Sequence, residues 1–137
     1  MANLRGYIFS RAFAGQRIPQ HVQNLVIRDY CQRNGHTYLL SAAEYAMHGS
    51  YLMLETLIEG LDGLDGFVAY SLSQLPEESQ RRTNFLQRIV QKGKALHFAV
   101  ENMAIQHAGD IERVETLLRL QQVLSTCPKE IPFFENA

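Results

Sequence analysis

Cysteine is scarce in this chain, charge of one sign is not in excess, and long apolar runs are missing. Each shortage removes a class of protein. The two cysteines, Cys31 and Cys127, have no metal-ligand spacing. They predict reduced thiols in a cytoplasmic protein rather than a disulfide framework. The formal charge is -1 and the isoelectric point near 6.5, so the basic face of a dedicated nucleic-acid binder is not expected. No apolar run approaches the roughly 20 residues that cross a bilayer, and Met1-Ala2-Asn3-Leu4-Arg5 does not begin a signal peptide. There is no Gly-rich phosphate loop and no Gly-x-Ser-x-Gly elbow. His21, His36, His48, His97 and His107 show no paired spacing with carboxylates on one helix, so neither a metal nor another cofactor is expected.

What the chain does have is 46% hydrophobic residues in 137, enough for one domain with a real core. Four short apolar runs each stop at a polar cluster. Gly6-Tyr7-Ile8-Phe9 leads to Ser10-Arg11, and Thr37-Tyr38-Leu39-Leu40 leads to Ser41 with Glu44-Tyr45. Gly66-Phe67-Val68-Ala69-Tyr70 leads to Ser71-Leu72-Ser73-Gln74, and Ala95-Leu96-His97-Phe98-Ala99-Val100 leads to Glu101-Asn102. Helical periodicity fills the gaps between them. Strands joined by helices make a parallel sheet, which gathers ligands outside the carboxyl ends of its strands.

The predicted elements follow. A first strand covers Arg5 to Phe9, and a loop from Ala12 to Ile18 turns at Gly15. A helix enters at Pro19 and runs to Arg33, with Val22, Leu25, Val26 and Tyr30 as its buried stripe. The second strand is His36 to Ser41, followed by a loop from Ala42 to Gly49. Ser50 caps a helix through Ile58 that turns Leu54, Leu57 and Ile58 inward. The third strand, after Gly66, lacks polar alternation, as a strand buried on both faces does. A helix from Glu78 to Gln91 buries Phe85, Leu86, Ile89 and Val90, and the fourth strand is Ala95 to Val100. The last helix, 110-125, carries a wide apolar set (Ile111, Val114, Leu117, Leu118, Leu120 and Val123). With the tail 126-137, which holds Ile131, Phe133 and Phe134, it is expected to join a homo-oligomer interface. Met47, Met53 and Met103 are expected in the core.

This order of elements resembles the catalytic domain of serine recombinases over about 100 residues. Gly6-Tyr7-Ile8-Phe9-Ser10-Arg11 is similar to the opening strand of that family, and Gln23 to Gly35 to its first helix. Gly60 to Gln74, followed by Asn84 to Glu101, resembles its third strand, next helix and fourth strand. The resemblance implies an α/β fold with a small, mostly parallel sheet in the order 2-1-3-4, helices on both faces and a three-layer architecture. It also implies a nucleophilic serine among arginines that hold a phosphate. Here the chain departs. Ser10 is displaced by about one residue from the serine position. Ser73-Gln74-Leu75-Pro76-Glu77 stands where the family has an acidic residue followed by Arg-Leu-x-Arg, so both arginines are missing. Strand exchange is therefore not expected.

A second resemblance covers nearly the whole chain. Arg5 to Arg11, Pro19-Gln20-His21-Val22-Gln23-Asn24-Leu25, Arg28-Asp29-Tyr30-Cys31, Glu44-Tyr45-Ala46-Met47 and Leu96 to Glu101 are similar to the sporadic carbohydrate cluster family. Those are small bacterial proteins encoded among genes for surface polysaccharides such as O-antigen and capsule. The resemblance implies a setting in surface-carbohydrate biosynthesis and does not imply a particular reaction.

In a sheet of order 2-1-3-4 the switch point lies between strands one and three, so the crevice opens between Ser10-Arg11 and Ser71-Ser73. Arg11 suits a phosphate or carboxylate, or else pairs with a surface carboxylate. Ser10 is a hydrogen-bonding residue or, with a base beside it, a nucleophile. His21 and Asn24 share one face at the start of the first helix, where an anion can bind, although His21 is equally an ordinary first-turn residue. Arg28, one turn on, is expected in a salt bridge. Glu44 and Tyr45 after strand two suit proton transfer on a sugar, or Glu44 caps a helix. His97 is a base or a satisfied core histidine, and Glu101 is the better placed acid or base.

The expected function is an enzyme acting on a sugar or sugar nucleotide, an isomerase or epimerase with Glu44, His97 and Glu101 as acid/base residues. Ser10, Arg11, His21, Asn24, Tyr45, Ser71 and Ser73 would bind the substrate. The alternative is a non-catalytic protein of the same pathway that binds a sugar nucleotide or a partner. Nucleic acid is not an expected partner and insertion into a membrane is not expected.

Overall fold

The computed structural model describes residues 2–126, and its five-stranded sheet has the order β2-β1-β3-β4-β5. β1 (Asn3–Phe9) lies at the centre, parallel to β2 (Thr37–Glu44) and to β3 (Gly66–Ala69). β4 (Ala95–Phe98) is parallel to β3, and β5 (Met103–Ile105) is antiparallel to β4. The expected 2-1-3-4 core is present, with one strand added at its edge. β5 escapes the sequence reading because three residues cannot show an alternating pattern. The reversal into it passes through Asn102, which takes a left-handed φ of 53° and ends β4 at Phe98 rather than Val100.

Two apolar layers sandwich the sheet. On one face Leu4, Ile8 and Val68 pack with Ile27, Tyr30 and Cys31 of α1 (Gln20–Arg33). On the other face Tyr7, Phe9, Phe67, Leu96 and Phe98 meet three helices. These are α2 (Leu52–Glu59), α3 (Ser79–Gln91) and α4 (Ala108–Thr126). Leu54, Leu57 and Ile58 of α2 point inward as expected, as do Phe85, Leu86 and Ile89 of α3, with Val90 half-buried. No helix among the described residues is long and apolar enough to cross a membrane.

Several expectations need correction. The stripe of α1 is displaced by one position: Gln23, Ile27, Tyr30 and Cys31 are buried, Val22 and Val26 half-buried, and Leu25 is 59% exposed. The cause is Gln23, whose amide is drawn inward by unpaired backbone at the end of β1. β2 continues through Ala42, Ala43 and Glu44, which pair with Tyr7, Ile8 and Phe9, so the loop begins later than predicted. A register shift between Arg5 and Tyr7 accompanies this pairing. Gly6 sits in that gap because a Cβ there would run into the Ser41 Oγ. Met47 is exposed, whereas Met53 and Met103 pack against the core. In α4, Ile111 and Val114 are buried and Leu117 and Leu118 half-buried, while Leu120 and Val123 are exposed. Cys127 and the apolar tail expected to dock lie outside the described residues.

The carboxyl ends of β1 and β3 are joined by two buried amides. The Gln23 Oε1 accepts from the Phe9 N–H at 2.9 Å and from the Gln74 Nε2 at 2.8 Å. The Gln23 Nε2 donates to the carbonyls of Phe9 and Ile18, both at 2.8 Å. The Gln74 Oε1 accepts from the Tyr70 N–H at 2.9 Å. Truncating Gln23→Ala strands several buried polar groups, and each orphan costs roughly 1–3 kcal/mol. Urea unfolding is expected to show a loss of at least that size, whereas Gln20→Ala, an exposed change on the same helix, leaves the midpoint nearly unchanged.

Candidate functional site

A small cleft of about 170 Å³ opens at the carboxyl end of β1. Its walls are Phe9 and Arg11 after β1, His48 and Tyr51 before α2, Ser73 and Glu77 after β3, and Glu78 and Arg81 at the start of α3. Tyr51 is buried, and two guanidinium groups lie over its ring. Arg11 is 5.1 Å and Arg81 4.9 Å from the ring centre. Arg11 is also 4.2 Å from the Phe9 ring, and Arg81 is 5.8 Å from the Phe85 ring. Such stacking fixes a guanidinium while leaving its edge N–H groups for a ligand.

The two arginines are held differently. Arg11 spends Nη1 on the carbonyl oxygens of Tyr45 at 2.8 Å and Met47 at 3.2 Å. Arg81 makes no hydrogen bond or ion pair among the described residues, so only aromatic rings hold it. Burial raises the Tyr51 phenol above its usual range, against the opposing pull of Arg11 and Arg81. Tyr51 therefore stays a neutral platform at physiological pH. The acidic members of the lining, Glu77 and Glu78, are both exposed. Two fixed cations, two carboxylates, an imidazole and a hydroxyl suit a ligand that carries both an anion and hydroxyl groups.

The three predicted acid/base residues are dispersed. Glu44 is 1% exposed and its carboxylate is fully occupied. The Tyr7 phenol donates to Oε1 at 2.8 Å, and the Leu54 N–H does so at 3.2 Å. The N–H groups of Tyr45 at 3.0 Å and Met53 at 3.1 Å, with the Ser50 hydroxyl at 3.3 Å, donate to Oε2. The end of β2 thus caps α2 from outside the helix, whose own N-cap residue, Tyr51, supplies no side-chain bond. Ser50 contributes through Glu44, not as the cap expected of it. Burial, followed by the Glu44 carboxylate, pushes the Tyr7 phenol far above its ordinary range, which keeps it a donor.

Glu101 is engaged in a similar way. It accepts from the Ser71 hydroxyl at 2.8 Å and from the Leu72 N–H at 3.1 Å, fastening the 3-10 turn Leu72–Gln74 to the end of β4. Ser71 caps that turn by accepting from the Ser73 N–H at 3.1 Å. Ser10 donates to the Glu44 carbonyl at 2.9 Å, and no general base bonds it among the described residues. Tyr45 reaches Arg11 by its backbone while its side chain is exposed. His21 is exposed. Asn24, instead of joining it, accepts from the hydroxyls of Ser41 at 2.6 Å and Tyr38 at 3.2 Å. Arg28 lies over the Tyr38 ring at 5.5 Å, in place of the expected salt bridge. Of the predicted binding residues, Arg11 and Ser73 line the cleft.

His97 faces the opposite end of the sheet. Its Nδ1 is 2.7 Å from the Tyr30 hydroxyl, and its ring centre is 4.9 Å from that of His36. Both imidazoles line a separate cavity with Asp65, Lys94 and His107. Among the described residues no group of three or more His, Cys, Asp or Glu is arranged to hold a metal ion. Sequence reasoning missed Tyr51, Arg81, His48, Glu77 and Glu78. Each lies away from the strand ends, and nothing in their spacing links them.

Compared with protein-family models, the chain matches none, and no curated protein matches it. Solved structures do match. The resolvase family site-specific recombinase from Streptococcus pneumoniae superposes with a TM-score of 0.59 at 13% identity, over 87% of this chain and 88% of that one. The N-terminal catalytic domain of TP901-1 integrase superposes with a TM-score of 0.60 at 14% identity, over 88% of this chain and 98% of that one. The chain therefore has the resolvase-like α/β fold, and at these identities the likeness concerns the fold.

Burial, and then the neighbouring His36, hold the His97 imidazole down at about 4 from its ordinary 6.5. The unfolded chain takes up that proton first as pH falls. The contribution of neutral His97 is thus complete above about pH 6.5 and is lost progressively toward pH 4. Urea unfolding across this window is expected to show the decline in the wild type. In His97→Gln, which can still accept from Tyr30, the decline is shallower.

Proposed function

We propose that this protein binds a sugar-type small molecule bearing an anionic group at the Arg11–Tyr51–Arg81 cleft. It does so as a binding component of carbohydrate biosynthesis rather than as an acid–base enzyme. The observation that carries this reading is the pair of ring-stacked guanidinium groups, neither of which has a carboxylate partner among the described residues. Charge-assisted bonds from Arg11 and Arg81 would hold a phosphate or carboxylate, while Glu77, Glu78 and Ser73 would receive or exchange hydrogen bonds with hydroxyls. The carbohydrate setting itself rests on the resemblance of Arg5 to Arg11, Glu44 to Met47 and Leu96 to Glu101 to the sporadic carbohydrate cluster family.

The isomerase or epimerase reading has less support. Glu44 and Glu101 spend both carboxylate oxygens on structural donors, and His97 lines a different cavity. A general base must reach the proton it takes, directly or through one water.

Calorimetric titration with glucose 1-phosphate and glucuronic acid tests the proposal. Binding of at least one of them is expected, weakened at least tenfold by Arg81→Ala, about 1.4 kcal/mol. Arg81→Ala removes an exposed side chain, so the fold should persist. Failure of the wild type to bind either compound, or binding untouched by both Arg81→Ala and Arg11→Ala, overturns the reading. Exchange of a sugar carbon proton into heavy water, followed by NMR, would restore the enzyme.

A further inference from the structure

The small cleft does not end at Glu77. A larger cavity of about 680 Å³ adjoins it, and the two share Ala14, Ser73, Pro76 and Glu77 as a common ridge. That volume lies within the roughly 300–1,000 Å³ range of small-molecule sites. Its floor is apolar, built from Leu72, Leu75, Pro76 and Leu118, and its rim carries the hydroxyl of Thr83.

The charges in the two spaces differ. In the larger cavity Arg82 and Glu115 satisfy one another through contacts of 2.5 and 2.7 Å, and the Ser79 hydroxyl completes the carboxylate at 2.7 Å. Arg82 also donates to the carbonyls of Pro76 and Glu77, both at 3.0 Å. This wall is therefore neutral as a unit. Arg119 at the rim leans back toward the Glu115 carbonyl at 3.4 Å. Arg11 and Arg81, neither of which makes an ion pair among the described residues, are in the small cleft, beside the exposed Glu77 and Glu78; Arg119 also makes none, but stands at the rim of the larger cavity.

This geometry points to a two-part ligand, a nucleoside diphosphate or its sugar-linked form. Its diphosphate would lie between Arg11 and Arg81, and its nucleoside over the Leu75–Pro76–Leu118 floor. The assignment rests on the anion reading above and extends it. A flat heterocycle buries one apolar face on that floor, and a ribose offers hydroxyls to Thr83 and Glu77. The reverse orientation would put the diphosphate against a neutralised ion pair and leave the stacked arginines without an anion.

Calorimetry on the full chain separates the two proposals, using inorganic pyrophosphate and the diphosphates of adenosine, guanosine, cytidine and uridine. At least one nucleoside diphosphate is expected to bind tenfold or more tightly than pyrophosphate. Thr83→Tyr, which fills the larger cavity, is expected to erase that advantage while pyrophosphate affinity stays within twofold, which also reports an intact fold. If Thr83→Tyr loses pyrophosphate binding as well, Ser79→Trp on the exposed start of α3 takes its place. Nucleoside diphosphates all within twofold of pyrophosphate, or an advantage that survives both substitutions, overturn the two-part ligand and leave the anion cleft standing. Absence of pyrophosphate binding to the wild type removes both.

Discussion

Gln23 and Gln74 meet where β1 and β3 run out of partners. Parallel strands diverge at a switch point, and the last N–H and C=O groups of each have no ladder to join. A primary amide answers this need because it carries donors and an acceptor on one planar group. Gln23 returns both kinds of bond to Phe9 and reaches across to Gln74, which in turn holds Tyr70. The bridge has a cost for function, because it occupies the centre of the crevice where this fold class would otherwise offer space. Gln74, in the segment where the sequence departs from the recombinase pattern, closes the interior here. The usable space is displaced outward, to the ring of Tyr51 and the two arginines beside it.

The carboxylates follow the same economy. Sequence position places Glu44 and Glu101 at strand ends, where catalytic groups often sit. Each is instead surrounded by backbone N–H groups and hydroxyls. A carboxylate whose two oxygens both accept hydrogen bonds from the fold is an anchor, Glu44 for α2 and the half-buried Glu101 for the 3-10 turn. The chain thus spends two acidic residues on holding its own loops. It leaves two others, Glu77 and Glu78, exposed at the cleft.

Much of the architecture was legible from the residues. The four apolar runs and three of the four core-facing helical patterns follow from spacing and from Gly and Pro punctuation, whereas the strand order was implied by the resemblance to serine recombinases. Apart from the three-residue β5 and the exposed Met47, Leu120 and Val123, the reading failed where a polar side chain had taken a structural task that periodicity does not encode. Gln23 displaced the stripe of α1, and Glu44 extended β2 and replaced Ser50 as a cap. Of the residues that line the candidate cleft, the sequence pointed to Arg11 and Ser73, which follow β1 and β3. Tyr51 and Arg81 were not legible, because ring stacking between a residue preceding α2 and one on α3 depends on packing across the molecule. Arg82 escaped for the same reason: its partner Glu115 is on another helix.

Because Glu44 holds α2 from the end of β2, the five residues between Glu44 and Ser50 have little to do with folding. They touch Arg11 through main-chain carbonyls, which every amino acid supplies. Their side chains are exposed, and one of them, His48, lines the cleft. Apart from Gly49, whose φ of 77° favours glycine, this short stretch is accordingly free to drift. On the proposed reading, changes there alter which ligand the cleft accepts while the helix behind it stays in place, so the scaffold carries a region where selectivity can evolve without a stability debt.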